Sequence, residues 1–241
     1  MRCSVSGGQG MSVYAVVPVK SLGVSKKRLS SVLSPQERRQ LTLAMLEDVL
    51  NALETSTVDK IVVVTNDSSV NDFVGKFGAT YLAQKTSGLN SAIEEATEWC
   101  VQQGAEAILI LPADIPLLSP VEVDRIVGLG NCEKQTVVLS SSYNDGTNAL
   151  FQSPPNLIRA SFGARSFIKH LKEAQGKGFS VRLYYSAKMA ADIDSADDLG
   201  NFLRMESNTA CRRVLVQFNF ERRISEGAGQ PKSGQNLRKM I

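Results

Sequence analysis

Asp114 sits three residues beyond the apolar run Ile108-Leu109-Ile110-Leu111, between Pro112 and Pro116. A carboxylate just past a buried strand lies where open α/β sheets bind ligands, and the prolines stiffen the turn that holds it. A second acidic group, Asp192 and Asp194, precedes the last helix of the regular pattern. Carboxylates from distant loops can share one Mg²⁺, a cation that takes few protein ligands and fills its shell with phosphate oxygens and water. The loop from Lys20 to Leu29 supplies opposite charge through Lys20, Lys26 and Arg28, with Gly23 among them. Those cations would neutralise a triphosphate. Together the pieces suit phosphoryl or nucleotidyl transfer, in which metal and cations stabilise developing charge and no protein nucleophile is needed. Each piece also has a purely structural reading. Asp114, Asp192 and Asp194 could cap helices, and the basic loop could simply be solvated. His170 reads as a satisfied helix residue rather than a base.

These residues need a scaffold. Val13 to Val19 and Lys60 to Thr65 read as buried strands, as does Ala107 to Leu111. Ala79 to Leu82, Thr136 to Ser140 and Val181 to Tyr185 read as further strands, and Asp145-Gly146-Thr147 as a turn feeding another. Ser34-Pro35-Gln36-Glu37 and Ser119-Pro120-Val121-Glu122 are helix starts with a capping serine, proline next and glutamate three residues on. The first of these helices should run to about Leu53 with Leu41, Met45, Leu46, Val49 and Leu53 inward. Gly88-Leu89-Asn90 opens a helix to about Gln103, and Phe162-Gly163-Ala164-Arg165-Ser166 opens another. Backbone donors at both starts can meet a ligand, and Gly163 removes a side chain from its path. Strands and helices alternate, which predicts an α/β fold: a doubly wound, mostly parallel sheet with helices on both faces.

Composition narrows the class. The 241 residues are 43% hydrophobic and 21% charged, an ordinary globular balance, and no apolar run reaches the length of a membrane span. Residues 1–11 read as a disordered leader without the apolar centre of a secretory signal, and residues 12–206 as one domain. Cys3, Cys100, Cys132 and Cys211 are scattered, with no metal spacing, which points to reduced thiols in a cytoplasm. One histidine argues against a zinc site or a histidine triad. The net charge of +3 comes from residues 207–241, where seven Lys and Arg outnumber two acids. The body is therefore acidic, and neither nucleic acid nor membrane is expected as a partner. That tail reads as basic and disordered, with strand-like apolar content only at Val214 to Phe220.

The blocks Val17 to Leu22, Lys26 to Arg38, Leu111 to Pro116, Asp145 to Leu150, Phe162 to Phe167 and Asp192 to Leu199, in that order, resemble the 2-phospho-L-lactate / phosphoenolpyruvate guanylyltransferases. These are relatives of the molybdenum-cofactor guanylyltransferases. The resemblance covers Ser12 to about Met205 and implies a nucleotide-diphospho-sugar-transferase-like (Rossmann-like) three-layer sandwich. It implies transfer of GMP from GTP to a small phosphorylated acid, with pyrophosphate leaving, in biosynthesis of the deazaflavin coenzyme F(420). Carried over onto this chain, Lys20, Gly23, Lys26 and Arg28 would hold the GTP phosphates, and Gly88 and Asn90 the guanosine. Asp114 would bind Mg²⁺ with Asp192 or Asp194, and Thr147, Gly163 and Ser166 would hold the acceptor. Lys20, Lys26, Arg28 and Asp114 are then the catalytic candidates. Oligomeric state stays open, a homodimer being one expectation. Two rival readings are a nucleotidyltransferase of the same fold with another phosphorylated acceptor, and a non-catalytic nucleotide-binding module. The Gly-Gly-rich first loop of sugar-1-phosphate relatives is replaced here by Pro18-Val19-Lys20.

Overall fold

The computed structural model of the chain describes residues 11–23, 25–220 and 222–223. It opens on β1 (Val13–Pro18), a 3₁₀ turn (Lys27–Leu29), α1 (Pro35–Glu54) and β2 (Lys60–Thr65). Then come α2 (Asn71–Gly75), β3 (Thr80–Ala83), α3 (Leu89–Gln102), β4 (Ala107–Ile110) and α4 (Pro120–Gly130). The antiparallel element is β6 (Thr147–Ser153), which follows β5 (Thr136–Ser141) and precedes α5 (Ser166–Gly176). The described chain ends through β7 (Ser180–Leu183), α6 (Ala187–Ala190), α7 (Ala196–Arg204) and α8 (Ala210–Gln217).

The seven strands form one sheet in the order β3-β2-β1-β4-β6-β5-β7. Only β6 runs against the rest, pairing antiparallel with both β4 and β5. The chain builds outward from β1 in one direction through β2 and β3, and in the other through β4. The gap between the carboxyl ends of β1 and β4 is therefore a topological switch point, where such sheets bind ligands.

Each face of the sheet is covered. Val13, Ala15 and Val17 of β1 pack with Leu46, Val49 and Leu53 of α1 and with Val123 and Ile126 of α4. The alternate residues Tyr14 and Val16 pack with Ile93, Ala96 and Cys100 of α3 and Ala174 of α5. That is the three-layer sandwich expected. The α1 and α4 starts carry the expected capping boxes, Ser34 with Glu37 and Ser119 with Glu122. The α1 residues expected inward are all buried. Close packing fixes Gly130: a β-carbon there would lie 2.0 Å from the Phe151 ring of β6.

A third cluster corrects the reading of the tail. Leu29 and Leu33, Leu41 and Met45 of α1, Ile193, and Leu199 and Phe202 of α7 bury together with Cys211, Leu215, Phe218 and Phe220. Residues 210–217 are thus a helix, not a strand-like stretch of a disordered tail. Cys211, Leu215 and Phe218 recur at helical spacing, i, i+4, i+7, and give one apolar face. Thr209 caps the helix by accepting from the Arg212 N–H. Asp48 of α1 accepts from the backbone N–H groups of Ala210 at 2.7 Å and Cys211 at 2.8 Å. Burial of each large side chain there contributes roughly 1.5–3 kcal/mol. Met11, assigned to the leader, is partly buried against the core. The remaining expectations for residues 1–10 and 224–241 lie outside the described residues. Among the described residues no helix is long and apolar enough to cross a membrane.

Candidate active site

The switch point holds a cleft of about 560 Å³ whose lining includes Lys20, Lys26, Arg28, Asp114, Thr147, Gly163, Ser166, Asp192 and Asp194. Nine of the candidate residues thus meet at one place, though they come from five separate segments of the chain. Gly23, Gly88 and Asn90 are not in that lining; Leu89, between the last two, is.

Asp114 follows β4 and the Pro112 break. Its backbone carbonyl accepts from the Ile193 N–H at 3.0 Å, and the Ile193 side chain is buried in the third cluster. That tie helps to bring the acidic turn to the strand end and leaves the residues on either side of Ile193, Asp192 and Asp194, at the cleft. Neither caps α7. The cap is a box between Ser195 and Asp198, whose carboxylate also accepts from the Asp194 N–H. The capping alternative for the acidic pair is therefore taken by their neighbours.

Lys26 joins the two sides. Its Nζ lies 2.6 Å from Asp114 Oδ2 and 2.8 Å from Asp194 Oδ1, with 8% of its side chain exposed. Burial works to lower its pKa, but the charges of Asp114 and Asp194 overrule it, and the ammonium is held above the ordinary lysine value. For Asp194, burial raises the pKa, and the Lys26, Arg28 and Lys20 charges more than reverse that. Asp192 goes the other way: burial and the neighbouring Asp114 charge push its carboxyl up. Lys26 itself has φ 51°, a left-handed conformation that β-carbon-bearing residues adopt at a cost. Strain of this kind persists where surrounding contacts over-determine it, and here two carboxylates do so.

Asp114 and Asp194 already converge on a single cation, and the charge of Asp114 is also felt by Asp192. That donor set fits Mg²⁺, which needs only one or two carboxylates besides phosphate oxygens. Among the described residues no group of three or more His, Cys, Asp or Glu side chains is arranged to hold a metal by itself.

The cleft residues supplied by β6 and the α5 start are neutral. Thr147 opens β6 and is buried, and the α5 start supplies Ser166, also buried. Gly163 has φ 116°, so its glycine is required by conformation; a β-carbon there would meet nothing within 4 Å. The Ser166 N–H donates to Gly163 O at 3.1 Å, and the Phe167 N–H to Asp145 O at 3.3 Å. The Ser166 N–H, expected to face the acceptor, is thus already engaged. The Ser166 hydroxyl instead is buried with no hydrogen-bond partner, a group that a ligand oxygen would satisfy.

Several positioning residues escaped sequence reasoning. Asn148 donates to Met189 O at 2.7 Å and to Asp192 Oδ1 at 3.3 Å, orienting that carboxylate. Asp67, just past β2, accepts from the Leu22 N–H at 2.9 Å and from Ser21 Oγ at 3.3 Å, anchoring the basic loop. Ser25 Oγ lies 2.9 Å from Thr42 Oγ1 of α1. Asn90, expected at guanosine, braces the loop that leads into α5: it accepts from the Phe162 N–H at 2.8 Å and donates to Phe162 O at 3.3 Å. A polar pair directly after β2, and an asparagine facing inward on β6, were the signals available for Asp67 and Asn148.

Comparison with known proteins matches residues 13–233 to a family model described as "Guanylyl transferase CofC like". A phosphoenolpyruvate guanylyltransferase of Rubrobacter xylanophilus is 41% identical over 192 residues, 78% of this chain and 92% of the relative. A 2-phospho-L-lactate guanylyltransferase of Methanothermobacter thermautotrophicus is 33% identical over 219 residues, 90% of this chain and 96% of that one. In fold, the chain is similar to a crystal structure from Desulfovibrio desulfuricans assigned as a nucleotide-diphospho-sugar transferase. The TM-score is 0.73 at 15% identity, over 90% of this chain and 98% of that one.

Proposed function

The chain belongs to the CofC-like guanylyl transferases, and from that premise we propose that it moves GMP from GTP to phosphoenolpyruvate or 2-phospho-L-lactate. A phosphate oxygen of the acid attacks the α-phosphorus of GTP, and pyrophosphate leaves. The product is the guanosine diphosphate ester from which the deazaflavin coenzyme F(420) is built. The observation that carries the reading is the single cleft in which cations, carboxylates and neutral anion donors face one another.

Lys20 and Arg28, both exposed at the cleft mouth, place positive charge against the triphosphate. Lys26 is fixed between Asp114 and Asp194 and holds the loop in register with the acidic turn. Asp114 with Asp192 or Asp194 would hold Mg²⁺, which when bound neutralises charge developing on the phosphates. Asn148 keeps the Asp192 carboxylate aimed. Thr147 and Ser166 hold the acceptor acid by hydroxyl hydrogen bonds, and the Gly88–Asn90 turn, beside Leu89 at the cleft, is assigned to guanosine. None of these groups attacks covalently; the protein's part is orientation and charge. The reaction is placed in the cytoplasm.

A panel pairing each nucleoside triphosphate with each phospho-acid, read as Mg²⁺-dependent pyrophosphate release, tests the reading. GTP with one of the two acids is expected to release pyrophosphate. Release only with a different phosphorylated acceptor would move the chain to another reaction of the fold. No release with any phospho-acid from the folded protein would overturn enzymatic function altogether.

A further inference from the structure

His170 is the only histidine of the chain. It is fully buried and stands behind Thr147, outside the cleft lining. Its two ring nitrogens have different partners. The Ser161 backbone N–H donates to Nε2 at 2.9 Å, and Nδ1 lies 2.9 Å from Thr147 Oγ1. A backbone N–H can only donate, so Nε2 must present a lone pair. The neutral ring then carries its proton on Nδ1 and donates it to Thr147. No other group among the described residues engages the Thr147 hydroxyl, so its own hydrogen is left for the cleft.

We propose that His170 is a positioning residue that makes the Thr147 hydroxyl a hydrogen-bond donor to the anionic acceptor acid. The inference rests on the guanylyltransferase reading above. With the opposite tautomer the Thr147 hydrogen would turn inward to Nδ1, and an oxygen lone pair would face the anion. The Phe162 ring packs edge-on against the imidazole, centroids 5.0 Å apart at 66°, and holds the ring plane. The cationic ring is disfavoured because a second ring N–H would point at the Ser161 N–H. Burial likewise pushes the pKa of His170 down to about 4, with Glu173 opposing and Lys169 assisting. His170 therefore transfers no proton in turnover; its Nδ1–H fixes the direction of the hydrogen that stays on Thr147.

The single histidine allows a direct test on the unmodified chain. Long-range ¹⁵N spectra of the ring are expected to show a neutral Nδ1–H tautomer at pH 7 and pH 6. An Nε2–H tautomer, or titration near pH 6.5, would overturn the inference, whatever the fate of any variant. In kinetics, His170→Gln can accept from Ser161 but cannot donate to Thr147, whereas His170→Asn retains an N–H near the Nδ1 position. His170→Gln is expected to raise KM for phosphoenolpyruvate or 2-phospho-L-lactate about tenfold, as for one lost hydrogen bond to a charged group. Its KM for GTP and its kcat should stay within about twofold, and His170→Asn should recover most of the loss. A rise in KM for GTP in step with the acid, or equal losses in both variants, would overturn it. A wild-type chain that transfers no guanylyl group fails the underlying reading instead, and leaves the tautomer result standing.

Discussion

The two walls of the cleft handle anions by different physics. On the β1–β4 side, Lys20, Lys26 and Arg28 oppose Asp114, Asp192 and Asp194. Charge is matched by charge, and the pKa values of Lys26 and Asp194 are spread apart by their mutual attraction. On the β6–α5 side the donors are neutral: Thr147, Ser166 and the imidazole behind them. Of the cations, Lys20 and Arg28 are exposed, whereas Lys26 is held between two carboxylates. An acid chosen by shape is better held by fixed hydroxyls, whose direction discriminates where point charges would not.

The comparison predicts unequal consequences. Asp114→Asn should cost the most, about 10³-fold in kcat, because a metal's stabilisation of transition-state charge is worth several kcal/mol. Melting temperature should stay close to wild type, since Asp194 still pairs Lys26; retained turnover would remove Asp114 from the charged wall. Asn148→Ala should lower kcat about 10–100-fold, the usual range for a residue that orients a metal-binding carboxylate. Isothermal titration with Mg²⁺ and GTP should show weaker metal binding, and unchanged binding would leave Asn148 purely structural.

Ser166→Ala separates the walls more finely. Its hydroxyl has no protein partner, so the variant should melt no lower than wild type while KM for the acid rises about tenfold. A fall in stability with KM unchanged would reverse the assignment. The smallest effect is on stability. His170 has a folded-state pKa of about 4, below the 6.5 of an ordinary histidine. The unfolded chain takes up a proton between those values that the folded chain does not. Stability is therefore intact above pH 6.5 and falls as pH drops towards 4, by at most about 2 kcal/mol between pH 6.5 and 5. Urea titrations across that window should show the slope in wild type and lose it in His170→Asn.

The charged wall was the easier one to read from sequence. Lys26 and Asp114 declare themselves by type and by position beside apolar strands. Asp67 and Asn148 carry the same chemistry as any loop or strand polar residue, and only their partners distinguish them. His170 was read as a satisfied helix residue, and it is one; its importance lies in which atom satisfies it. In the tail the helical spacing of Cys211, Leu215 and Phe218 is present in the sequence, but the surface of α1 and α7 that buries it is set only by the fold.

The amino-acid sequence by itself determined the strand and helix alternation, since apolar runs and serine-proline caps act locally, and it determined the family. The tertiary structure decided how the pieces meet. Lys26 and Asp194 are separated by 168 positions yet share a hydrogen bond, because the Ile193 N–H docks on the Asp114 carbonyl and a third apolar cluster buries the segments around them. It also decided the tautomer of one histidine, which depends on a backbone N–H nine residues away. Such long-range closures leave no periodicity in the chain, so only the folded molecule displays them.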